Sequence, residues 1–198
     1  MTADRLKKQL EFIVETDRLK QILRQTLVID DRRKENDAEH SWHLALMAIF
    51  LSEHANQPDL DMLKVVKMVI IHDLVEIYAG DTFCYNYEAA KDKNERETAA
   101  AQKIFGLLPK DQRLEFRSLW DEFEEVQSAE ARFAAALDRL QPLLLNFHTE
   151  GAAWKKHGVT RSQVIERNRH IAKGSAELWD YAKWLIDESV KRDYLLDG

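Results

Sequence analysis

The chain has 198 residues and a formal net charge of −6. That is long enough for one compact domain with a substantial core and of the wrong sign for a general nucleic-acid binder. A single cysteine, Cys84, excludes an intrachain disulfide and a cysteine zinc cluster and fits a reducing cytoplasm. Six glycines and three prolines fall well below average usage, roughly 12% of residues, which favours long helices over many strands and turns.

The start, MTADRLKKQLEF, lacks the apolar stretch of a secretory signal. The longest apolar region, VVKMVII, is too short to span a membrane and carries Lys67. Residues 4–24 place Leu6, Leu10, Ile13, Val14, Leu19, Ile22 and Leu23 near helical spacing. Leu27–Asn36 reads as a connection, with IDDRRKEND too polar to be buried. Asn36 and Glu39 have capping-box spacing, so a helix starts there. Its apolar face is Leu44, Met47, Ala48 and Leu51, and it ends near Asn56. Pro58 and Asp59 open the next helix, Leu60 to about His72, and LVEIYAG continues it or forms a short second piece stopped by Gly80. Residues 82–88 read as irregular and Glu88–Leu108 as helical. Pro109 suits the first turn of another helix, and Ser128 caps the next, which stops at Gly151. Thr160 and Gln163 repeat the capping-box spacing; Gly174 and Ser175 then precede a last helix, Ala176 to about Tyr194. The expected fold class is all-α, with eight or so helices, no strand, and a single domain over 1–198. The helices of about 160–195 pack on or extend its core.

Within IIHDLVEIYAGD, His72, Asp73, Glu76 and Asp81 follow an apolar run that a buried segment normally keeps free of ionisable groups. Taken alone, His72–Asp73 also fits a capped helix end with a hydrogen-bonded histidine. Two further segments change the weighing. His40, in EHSWH, lies at a helix start, with His43 three positions on and roughly on the same face. Asp138 sits mid-helix in FAAALDRLQPLLLNF, where an unpaired carboxylate costs several kcal/mol. Two imidazoles and two carboxylates suit a borderline divalent ion, and so few protein ligands leave positions for water or substrate. Pro142, four residues past Asp138, removes the helical partner of the Asp138 carbonyl and should bend the helix. His43 reads as packed behind the ligands, and His148 and His157 as surface or interface groups. Trp120, Trp154, Trp179 and Trp184 read as core or dimer contacts. Glu95, Arg96 and Glu97 read as a solvated face, and Cys84 as incidental.

The ordered set EHSWH … IIHDLVEIYAGD … ALDRLQP resembles the HD-domain metal-dependent phosphohydrolases. Within them it is most similar to the branch of bacterial 5'-deoxynucleotidases and human HD-domain-containing protein 2. The likeness covers roughly residues 20–150, and LLLNFHTEGAAWKKHG is similar to bacterial members. A lone HD is weak, whereas the order H…HDxxE…GD…D is specific. The resemblance implies that His40, His72, Asp73 and Asp138 hold one divalent metal ion (Mn, Co, Mg, Ni, Fe or Zn). It implies Glu76 as the carboxylate beside the nucleophilic water, Asp81 as a second catalytic carboxylate, and Arg24 and Arg33 near the substrate phosphate. The implied reaction removes phosphate from (deoxy)nucleoside 5'-monophosphates through a metal-activated water. The expected partners are a small-molecule nucleotide and a second copy in a homodimer, with no nucleic-acid polymer and no membrane. One departure stands out. The branch tends to carry a tryptophan near the sugar shortly after the arginine, and RQTLVIDD has no aromatic. Another small phosphate or a phosphodiester would keep the same site. A nucleotide-binding protein without turnover fits less well, since all six metal and carboxylate positions are filled.

Overall fold

The computed structural model describes residues 2–30, 33–85 and 91–198. Helix α1 (Thr2–Thr16) runs into a 3₁₀ segment, Asp17–Gln21. Leu19 enters the core there, while Leu6, Leu10, Ile13 and Val14 stay exposed. Strands β1 (Leu23–Leu27) and β2 (Lys34–Asn36) follow, paired antiparallel with Leu23 opposite Asn36 and Leu27 opposite Lys34. The Val28 N–H donates to the Arg33 carbonyl. This hairpin corrects two expectations: the helix over residues 4–24 ends at Thr16, and the segment from Leu27 to Asn36 is not a plain solvated connection. Glu35 and Asp37 are buried. The Thr26 hydroxyl donates to Glu35 across the strands at 3.0 Å, so the polar side chains satisfy one another inside.

The Asn36–Glu39 capping box forms and starts α2 (Asp37–Leu51), followed by a 3₁₀ turn, Ser52–His54. Helix α3 (Met62–Ile71) begins later than expected, because the Asp61 carboxylate caps it by accepting from the Lys64 N–H. Asp59 sits at a φ of 60°, outside any helix. IIHDLVEIYAGD is not one continuous helix. The winding tightens to 3₁₀ over His72–Val75 and resumes as one α turn, α4 (Glu76–Ala79), which Gly80 ends at a φ of 76°. At three residues per turn, side chains i and i+3 eclipse, so Asp73 and Glu76 share a face.

Helix α5 (Lys93–Phe105) follows; the expected helix start at Glu88 lies outside the described residues. Pro109 stands just ahead of α6 (Lys110–Glu125). Ser128 caps α7 (Ala129–His148), which passes through Pro142 without interruption. This helix touches α2, α3 and α6, and also the later helices α10 (Ile171–Gly174) and α11 (Ala176–Lys191). Phe133, Leu137 and Leu140 are fully buried on it, each contributing about 1.5–3 kcal/mol through burial. Helix α7 ends at His148, short of the expected stop at Gly151, whose N–H closes it on the Asn146 carbonyl; at a φ of 69° Gly151 also opens α8 (Ala152–His157). A Cβ there would fall 1.9 Å from the Tyr194 carbonyl oxygen. The Thr160–Gln163 capping box starts α9 (Arg161–Asn168), and Ser175 caps α11. The tail returns to α9, where the Arg161 and Ser162 N–H groups donate to the Leu196 and Gly198 carbonyls. Among the described residues, no helix is long and apolar enough to cross a membrane.

Candidate metal centre and its cavity

Three stretches far apart in sequence deliver imidazoles and carboxylates to one point. The first turn of α2 brings His40, the 3₁₀ turn after α3 brings His72 and Asp73, and the middle of α7 brings Asp138. His40 Nε2 lies 3.0 Å from Asp138 Oδ1 and 3.9 Å from Asp73 Oδ2. His72 Nε2 lies 3.1 Å from Asp73 Oδ1 and 3.6 Å from Asp138 Oδ1. His72 Nδ1 donates to the Val69 carbonyl at 2.9 Å, which turns its Nε2 toward the carboxylates. That Nε2 is buried without a hydrogen-bond partner. Ligand atoms of His40, His72 and Asp73 all lie within 4.8 Å of one another. A buried, unsatisfied imidazole nitrogen facing two carboxylates and a second imidazole fits a divalent cation. Trp120 braces the turn by donating from Nε1 to the His72 carbonyl at 3.2 Å.

The electrostatics of the cation-free cluster follow from its crowding. Burial works against charge on His72, yet Asp73 and Asp138 outweigh it and hold the imidazolium up to about 9. Burial would raise Asp138, but the hydrogen bond to His40 and the nearby His72 ring carry it well below the usual carboxylate range. Burial and the neighbouring Asp73 push Asp37 up to about 7. Burial, Asp73 and Asp37 raise Glu76 well above its ordinary value. Burial also raises Asp81, with Arg24 pulling the other way.

From this cluster a cavity opens. Arg24, Glu76, Asp81, Lys93, Arg139 and Arg167 bring charge to its wall, and Phe83, Tyr85, Leu143 and Trp154 give it an apolar side. Of the residues expected from sequence, the four candidate ligands meet, and Glu76, Asp81 and Arg24 line the same space. Arg24 donates to Asp73 at 2.8 Å and to Asp37 at 3.2 Å. Arg33 is not brought there. It is exposed and forks onto Glu39 at 2.9 and 2.6 Å, because the hairpin turns it outward to the residue that caps α2.

Several groups escaped the sequence reading. Asp37 is fully buried, and oxygens of Asp37, Asp73 and Glu76 lie within 4.8 Å of one another. Asp37 closes IDDRRKEND, whose polarity predicts a solvated segment. Gln141 is fully buried, three residues past Asp138, a spacing that puts it on the same helix face and offered a usable signal. His43 stands behind it, with Nδ1 3.3 Å from Gln141 Nε2. The expected solvated face at 95–97 needs correction. Glu97 is buried with Lys93 3.4 Å away, and Arg96 donates to the Ala79 carbonyl and the Thr82 hydroxyl, bracing the loop that carries Asp81. Cys84 lines the cavity. His157 rests on the Phe83 ring at 4.4 Å. Trp120 and Trp154 are core residues, whereas Trp184 is exposed.

Helices that gather a buried His–Asp pair, a second histidine and a distant aspartate define a helical metal-site protein. The chain belongs to the HD domain family, whose family model matches residues 16–179. It is 31% identical over 136 residues to the 5'-deoxynucleotidase HDDC2 of Homo sapiens, covering 68% of this chain and 65% of that protein. It is also 31% identical over 135 residues to a 5'-deoxynucleotidase of Yersinia pestis, covering 64% of this chain and 68% of that one. The chain thus spans just under two thirds of the human relative's length. Among solved structures, a predicted metal-dependent phosphohydrolase from Magnetospirillum magnetotacticum superposes with a TM-score of 0.94 at 53% identity. That match covers 99% of this chain and 98% of that one.

Proposed function

We propose that this chain is a metal-dependent phosphohydrolase that releases phosphate from nucleoside 5'-monophosphates. The observation that supports this most is the meeting of His40, His72, Asp73 and Asp138 at a cavity that Arg24, Glu76 and Asp81 also line. The names of the relatives support the substrate class.

A divalent ion in the His40–His72–Asp73–Asp138 set (Mn, Co, Mg, Ni, Fe or Zn) supplies acidification of water and charge compensation at a phosphoryl oxygen. The chain's own residues do the rest. Arg24, anchored by Asp73 and Asp37, presents its remaining donors to the phosphate. Glu76 orients the attacking water and takes its proton, since burial beside Asp73 and Asp37 raises its proton affinity. Asp81, also raised by burial, gives a proton to the leaving 5' oxygen. Lys93, Arg139 and Arg167 bring positive charge to the wall of an otherwise acidic protein. We assign Arg33 no substrate contact.

The test is phosphate release from a panel of ribo- and deoxynucleoside monophosphates with added Mn, Co or Mg. No turnover on any, with metal bound, removes the nucleotide reading. The panel includes cyclic nucleotides and sugar phosphates, because no aromatic follows Arg24 before Asp30. Turnover confined to those compounds redirects the substrate and keeps the chemistry. We also infer one domain, a cytoplasmic setting and a homodimer as the working form; light scattering at micromolar concentration decides the last.

A further inference from the structure

Behind the metal centre lies a fully buried amide, and its orientation can be worked out from its neighbours. Gln141 Nε2 is 2.6 Å from Glu35 Oε1. A carboxylate accepts and does not donate, so the nitrogen end of the amide must face Glu35. Turning the amide over would set a carbonyl oxygen against a buried carboxylate. With the nitrogen end fixed, Gln141 Oε1 faces His40 Nδ1 at 3.0 Å. A carbonyl oxygen has no hydrogen, so His40 Nδ1 must carry the proton. His40 Nε2 is the other ring nitrogen, turned toward the metal centre, 3.0 Å from Asp138 and 3.9 Å from Asp73. The second hydrogen of the amide points to His43 Nδ1 at 3.3 Å, which leaves His43 protonated at Nε2.

Glu35 is itself held from two further sides. The Thr26 hydroxyl donates to its Oε2 at 3.0 Å, and Arg24 Nε lies 3.7 Å from the same oxygen. Arg24 in turn grips Asp73 at 2.8 Å. A path of polar contacts thus runs from Asp73 through Arg24, Glu35 and Gln141 to His40. It ties together two candidate ligands carried by different helices.

We propose that Gln141, oriented by Glu35, is a positioning residue for the metal centre: it holds His40 in the Nδ1–H form and so presents Nε2 to the cation. This rests on the metal-site reading above but not on the choice of substrate. A fixed tautomer removes the cost of rearranging the ring when the cation arrives, and outer partners of ligating histidines typically contribute about 10–100-fold in metal affinity.

The experiment reads two quantities, neither of them turnover. ¹⁵N NMR of the imidazoles in the metal-free protein reports which nitrogens carry hydrogen. Titration with Co²⁺ reports affinity. The native chain should show Nδ1–H for His40 and Nε2–H for His43. Gln141→Leu should lose the His40 preference and bind Co²⁺ about 10–100-fold more weakly. Glu35→Gln, which leaves the amide free to turn over, should weaken it by a smaller factor. The exchange E35Q/Q141E puts a carboxylate against the His40 Nδ1–H and an amide against that carboxylate, so it should recover most of the affinity. A His40 ring in the native chain with no hydrogen on Nδ1 overturns the proposal, as does a Co²⁺ affinity in Gln141→Leu within about twofold of native. If Gln141→Leu fails to fold, the exchange decides, and no recovery relative to Glu35→Gln overturns the proposal. A lack of phosphate release from nucleotides would sink the substrate assignment while leaving both readouts intact.

Discussion

The hairpin Leu23–Asn36 and the tight turn His72–Val75 supply the same cavity by opposite means. The turn comes out of the apolar helix α3, so its charged residues are carried inward by neighbours next to them in sequence. The hairpin is polar, and its Glu35, with Asp37 just beyond it, is buried only because Gln141 and Arg24 wait for it. The turn brings candidate ligands, and the hairpin brings the groups that hold ligands still. Functional charge can therefore be buried by local pattern or by distant partners, and only the first leaves a mark on the sequence nearby.

Breaking the turn should have the largest effect. His72→Ala or Asp73→Ala should lower phosphate release by about a thousandfold or more and abolish tight metal binding. Activity surviving either change in metal-stripped protein would remove the assigned site. Breaking the hairpin side should register first as stability. Arg24→Ala strands Asp37, Glu35 and Asp73 without their guanidinium and should cost about 3–5 kcal/mol in urea denaturation of the metal-free protein.

A third expectation concerns pH. His72 has a folded value of about 9, above the roughly 6.5 of an unfolded chain. Its contribution to stability is therefore complete below about 6.5 and is lost as pH rises through about 9. Melting in chelator at pH 6, 7.5 and 9 should show a falling midpoint, and a flat series would contradict the assigned pairing. Metal added within that window should release a proton as His72 gives up its own. The smallest effect belongs to Arg33→Ala. An exposed pair with Glu39 contributes within about 1 kcal/mol, and turnover should stay within about threefold; a large rise in KM would return Arg33 to the substrate.

Much of the architecture was legible because its signals are short-range. Asn36 with Glu39, Thr160 with Gln163, and Ser128 each cap the helix they were expected to cap. The His–Asp pair, His40 and Asp138 were legible as charges where apolar residues were due. The hairpin was not, since five residues of β1 offer too little alternation to outweigh the helical spacing of the residues before them. Glu35, Asp37 and Glu97 looked solvated because what buries them, Gln141, Arg24 and the α5 lysine Lys93, acts through space. Arg33 stands away from the cavity for a similar reason: its fork onto Glu39 is set by how the chain enters β2, which its own neighbours in sequence do not reveal.

The latch that residues 194–198 form on α9 has a mechanical consequence. The turn at Gly151 admits no Cβ because Tyr194 lies against it, while Leu196 and Gly198 satisfy the opening amides of the helix that brings Arg167 to the cavity. Gly151, residues 194–198 and Arg167 are therefore mechanically linked: a side chain at position 151 should push Tyr194 away, loosen the opening turn of α9 and shift the far wall of the cavity.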